Sequence, residues 1–86
     1  MKQDKRIQRI LSTPSDYTFM EASTLLSQLG YVLDNKGSTS GSRVCFYREA
    51  DKAAILLHKP HPGDIMRQYA VKQLVRTLRE RGDIDG

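Results

Sequence analysis

The 86-residue chain has no tryptophan, one cysteine, two histidines and three prolines. Each scarcity removes a class of function. Cys45 alone cannot form an internal disulfide or supply a four-ligand zinc site, so a reducing compartment, the cytoplasm, is expected. The longest apolar run, Ala53-Ala54-Ile55-Leu56-Leu57, is far shorter than the roughly 20 residues a membrane span requires. Lys2, Lys5 and Arg6 are not followed by an apolar stretch, so no secretory signal is expected. No internal repeat is visible. No metal or cofactor is expected either.

What is present is enough for one small domain, with 38% hydrophobic and 28% charged residues. Fourteen Lys and Arg against ten Asp and Glu give a net charge of +4. A positive field favours anionic partners, nucleic acid first, although a basic surface can also serve solubility alone. The distribution is more telling. Residues 66–81 carry five basic residues and one acid, and residues 36–59 carry five and two.

Ile7, Ile10 and Leu11 share one face of a short helix, which Ser12-Thr13-Pro14-Ser15-Asp16 ends. Residues 1–15 therefore read as a helical extension and turn, and 16–86 as the main domain. Thr18 and Glu21 form a capping box for a second helix. Its apolar stripe is Phe19, Ala22, Leu25, Leu26 and Leu29, with Gly30 at its end. Tyr31-Val32-Leu33 begins a strand. A polar loop of small residues follows, from Lys36 to Ser42.

In a second strand, period 2 puts Val44 and Phe46 on one face and Arg43, Cys45 and Tyr47 on the other. Residues 48–52 make a turn, and residues 53–58 a third strand with Ala54, Leu56 and His58 on one side. Such short connections imply an antiparallel meander. Pro60 and Pro62 stop the third strand. Asp64 is a plausible cap for a final helix, in which Ala70, Val71, Leu74, Val75 and Leu78 form the buried stripe. Lys72, Arg76 and Arg79 form a basic one. Gly82 ends this helix, and residues 83–86 read as a tail. The class is α+β, with helices covering one face of a three-stranded sheet and leaving the other open.

His58 and His61 are the candidates for proton transfer near neutral pH. Either can equally be structural, His58 packing on the sheet and His61 bonding backbone before the last helix. As a metal pair they lack a third ligand at a telling spacing. Between Lys36 and Arg43, the Gly37–Ser42 loop offers backbone N–H groups and the four hydroxyls of Ser38, Thr39, Ser40 and Ser42, which could cradle a phosphate or merely close a hairpin. It lacks P-loop spacing. Arg43, Tyr47 and Lys59 could add charge and stacking for RNA, and Lys72 and Arg76 could track phosphates or form an ordinary solvated face. Cys45, with no histidine nearby in sequence, reads as a buried thiol rather than a nucleophile.

From Asp16 to Ile84 these residues resemble the HicA toxins, the RNA-cleaving halves of bacterial toxin–antitoxin pairs. The resemblance rests on Leu25-Leu26-Ser27-Gln28-Leu29-Gly30-Tyr31, on Lys36 to Val44 with Phe46, on His58-Lys59-Pro60-His61-Pro62, and on Tyr69 to Leu74 with Leu78. It implies a double-stranded-RNA-binding-like α-β-β-β-α fold with an antiparallel sheet, to which the N-terminal helix is extra. It also implies mRNA cleavage and a hetero-oligomer with a HicB-type antitoxin that blocks the toxin. The family's usual catalytic histidine follows Gly-Ser at the start of the second strand. Here Arg43 follows Gly41-Ser42, while His61 matches the family's second histidine.

The resulting expectation is a metal-independent endoribonuclease acting on single-stranded mRNA. His61 or His58 is its base, and Arg43 and Lys59 are electrostatic partners. The alternative is a non-catalytic RNA-binding module, or an antitoxin-binding protein whose nuclease activity is lost or altered.

Overall fold

The computed structural model describes residues 5–34, 43–60 and 63–84. Among the described residues, three helices and three strands follow the order α1 (Lys5–Leu11), α2 (Phe19–Gln28), β1 (Val32–Asp34), β2 (Arg43–Arg48), β3 (Ala53–His58) and α3 (Gln68–Glu80). The strands form one antiparallel meander in the order β1-β2-β3. This is an α+β architecture consistent with a double-stranded-RNA-binding-like fold.

Alternation along the strands sorts their side chains into two faces. Phe46, Ile55 and Leu57, with half-buried Val44, join the core on the inner face. There they meet Leu25 and Leu26 of α2, Val71, Leu74, Val75 and Leu78 of α3, and Ile10 of α1. The expected stripe of α3 is thus buried, with Ala70 half-buried at its margin. α1 packs against both other helices and is part of the same core.

α2 starts where its capping residues dictate. The Thr18 hydroxyl accepts from the Glu21 N–H at 3.1 Å, and the Glu21 carboxylate accepts from the Thr18 N–H at 3.0 Å. Glu21 also pairs with Arg9 of α1, which in turn reaches Asp16 at 3.3 Å. The Arg9 hydrogen bond, helped by those from Thr18, holds the Glu21 carboxyl down at about 2. Arg9 also lies 5.6 Å from the ring centre of Tyr17. Burial first, and Glu21 second, push the Tyr17 phenol up to about 12.

Three expectations are corrected by the structure. Asp64 caps α2 rather than the last helix: its carboxylate accepts from the Met20 N–H at 3.2 Å, and its carbonyl from the Phe19 N–H at 2.8 Å. The Met66 N–H donates to the Tyr17 carbonyl at 2.8 Å, and Thr18 pairs with Ile65 across an antiparallel bridge. A short backbone clasp thus joins the starts of α2 and α3. Arg67 is the N-cap of α3, without a side-chain cap.

Residues 83 and 84 are not a tail. Ile84 is buried in the core, and Asp83 accepts from Arg48 at 2.8 Å and from the Tyr31 hydroxyl at 2.9 Å. Arg48, which is the last residue of β2 rather than part of the turn, also donates to both oxygens of Asp51 and to the Leu29 carbonyl. Its guanidinium lies 4.4 Å from the centre of the Tyr31 ring. The hydrogen bonds it donates to Asp51 and then to Asp83 raise its pKa further. Gly30 has φ +98°, and a Cβ there would meet the Arg48 Cδ at 3.2 Å, so the position suits glycine twice over.

Candidate functional site

The open face of the sheet is built by strand register. Arg43 stands opposite His58, Cys45 opposite Leu56, and Tyr47 opposite Ala54, while β1 sets Val32 against Tyr47 and Asp34 against Cys45. The structure therefore brings Arg43 and His58 together at one end of the β2–β3 pair. Both are exposed. Cys45 is half-buried in the middle of this face, not sealed in the core. Val32 and Leu56 remain 62% and 59% exposed, so no element covers this side among the described residues.

At its His58 end, β3 runs into a cleft of about 620 Å³. One wall is His58, Lys59 and Pro60, and the other is Met66, Arg67, Gln68, Tyr69 and Ala70, with Ser15 and Ile65 at its margins. The helix direction explains this meeting. At the far end of α3, Arg81 donates to the Ala54 carbonyl at 3.0 Å. α3 therefore runs antiparallel to β3, and its first turn lies where the strand ends. Gln68 fixes that turn by donating to the Thr13 carbonyl at 2.7 Å.

The cleft can offer an imidazole, the cations of Lys59 and Arg67, a hydroxyl and an aromatic ring. Arg43 stands beside it, across the ladder from His58. Such a set can move a proton and hold an anion without a metal. Among the described residues, no cluster of three or more His, Cys, Asp or Glu side chains could hold a metal ion.

Lys72 and Arg76 lie elsewhere. They occupy the exposed side of α3, whose opposite side is pressed onto the inner face of the sheet. They belong to the outer surface of the helical layer and do not share a face with Arg43 and Tyr47. His61, Lys36, Ser38, Ser40 and Ser42 lie outside the described residues. Sequence reasoning did not include Arg67, Tyr69 or Ser15 in the site. Only Tyr69 left a signal there, as a large ring in the final helix that lies off its apolar stripe.

A family model described as the HicA toxin of bacterial toxin–antitoxin systems matches residues 20–80. The match runs from α2 through α3 and excludes α1. No curated protein and no solved structure matches the chain. Among the described residues, no helix is long and apolar enough to cross a membrane.

Proposed function

The chain belongs to the HicA family of toxins of bacterial toxin–antitoxin systems, and we propose that it is a metal-independent endoribonuclease acting on single-stranded mRNA in the cytoplasm, restrained by a HicB-type antitoxin. The observation that supports cleavage is the pairing of Arg43 with His58 across β2 and β3, beside a cleft that His58 and Lys59 line. The imidazole of His61 or His58 takes the ribose 2′-hydroxyl proton as the 2′-oxygen attacks the adjacent phosphorus. The bond from phosphorus to the 5′-oxygen breaks, and the other imidazole, in its protonated form, gives that oxygen a proton. The products are a 2′,3′-cyclic phosphate and a 5′-hydroxyl. Arg43 and Lys59 offset the charge that builds on the non-bridging oxygens.

In this reading residues 16–86 handle RNA, and residues 1–15 are a helical extension. Lys36, Ser38, Ser40, Ser42, Tyr47, Lys72 and Arg76 add contacts to the strand. The antitoxin covers the open sheet face, where Val32 and Leu56 are exposed. Purified protein should cut single-stranded mRNA in the presence of EDTA. His61→Ala should slow cleavage at least about a hundredfold, the scale of a lost general base. Full activity in the His58→Ala, His61→Ala double variant would remove this assignment.

Arg43, standing where the family usually has a histidine, favours a second reading: an RNA-binding toxin that does not cut. It predicts salt-dependent binding with the RNA left intact. Finding the cyclic phosphate end would exclude it.

A further inference from the structure

Tyr69 is the most exposed of the large apolar side chains described, at 70%. It takes no part in the core, although its neighbours Ala70 and Val71 are half-buried and fully buried. It stands in the first turn of α3, where the side chain of Gln68 beside it donates to the Thr13 carbonyl. The fold therefore presents an aromatic ring that its own packing does not use.

Two features give the ring a use. It lines the same cleft as His58, Lys59 and Arg67. It also begins a stripe along α3, since Lys72 and Arg76 follow at steps of three and four on the exposed side. Seven residues of helix carry that stripe about 10 Å away from the cleft. A stacking ring beside the reacting group, with cations leading away from it, is the arrangement by which single-stranded nucleic acid is held.

We propose that Tyr69 is a nucleobase-stacking subsite: a base next to the scissile phosphate lies on its ring, and the strand continues over Lys72 and Arg76. This rests on the reading of the chain as an RNA-handling toxin, but it does not require cleavage. It assigns a binding role to a side chain that the chemistry of the cut leaves idle. It also joins the basic side of α3 to the cleft, which the two-layer arrangement alone would keep apart.

The test uses a 2′-O-methyl oligonucleotide, which lacks the attacking hydroxyl and cannot be cut. Tyr69→Ala should weaken its binding roughly 5- to 150-fold, the range for loss of one base–aromatic stack. Tyr69→Phe should stay within about twofold of the parent protein, because the ring and not the hydroxyl carries the effect. An abasic oligonucleotide should bind the parent and Tyr69→Ala equally. The chain has no tryptophan, so Tyr69→Trp places a single reporter whose emission should be quenched by the base-containing oligonucleotide only.

Unchanged binding by Tyr69→Ala would overturn the proposal, as would an equal loss on the abasic oligonucleotide. Weakened binding of a partner protein with RNA affinity intact would also overturn it, assigning the ring to protein docking. Tyr69-dependent binding combined with failure to cut ordinary RNA would support this subsite and remove the nuclease reading.

Discussion

Arg48 counts toward the net charge of the sequence, yet in the folded chain it is a structural bolt. Its side chain is 14% exposed and that of Asp83 10%, with 2.8 Å between them. Truncating one partner of a mostly buried pair leaves the other desolvated and uncompensated. Arg48→Met should cost about 3 kcal/mol by this mechanism. For a domain of this size the thermal midpoint should fall by more than about 10 °C, read by circular dichroism. A midpoint within a few degrees of the parent would show that the Tyr31 hydroxyl, which donates to Asp83 at 2.9 Å, suffices to hold the C-terminal turn. Arg9, paired with Glu21, is likewise occupied. The positive field offered to a phosphate therefore comes from fewer residues than the sequence count suggests.

At the scale of elements, α2 is held by charges that titrate. The Glu21 pKa is lowered from 4.5 to about 2 in the folded chain, mainly by Arg9. A depressed carboxylate stabilises fully above its unfolded pKa, and that contribution fades as pH falls through the folded value. Stability should thus decline between about pH 4.5 and pH 2. The loss attributable to Glu21 should be about 1 kcal/mol, because the pair is partly open to solvent. Glu21→Gln should flatten that part of a pH series of urea denaturation curves. An unchanged acid limb would show that other carboxylates set it. The start of this helix was legible in the sequence because Thr18 and Glu21 act on their own neighbours. The cap supplied by Asp64 was not, since its partner Met20 lies 44 residues away. Ile84 and Asp83 were misread for the same reason, as the Arg48 contact spans 35 residues.

Across the whole molecule, the sheet's two faces and their residues followed from alternation alone, so Arg43 and His58 could be placed on the open side. The cleft could not be foreseen, because it depends on α3 running antiparallel to β3. The contacts that mark that direction are distant in sequence, Arg81 with Ala54 across 27 residues and Gln68 with Thr13 across 55. The backbone clasp between residues 17–19 and 64–66 has a consequence in time as well as in space. α2 and the β2–β3 hairpin can form from local contacts, whereas the clasp must wait for a long stretch of chain to close. Interactions made late fall on the native side of the folding barrier. Asp64→Ala should cost about 1 kcal/mol through the lost cap. That cost should appear as roughly fivefold faster unfolding, with the folding arm of a stopped-flow chevron unchanged. A slower folding arm would place the clasp inside the nucleus. If the clasp does close last, it is also the first tie to loosen. The cleft beside it would then open and close by local release of residues 64–66 while the sheet and α2 stay folded.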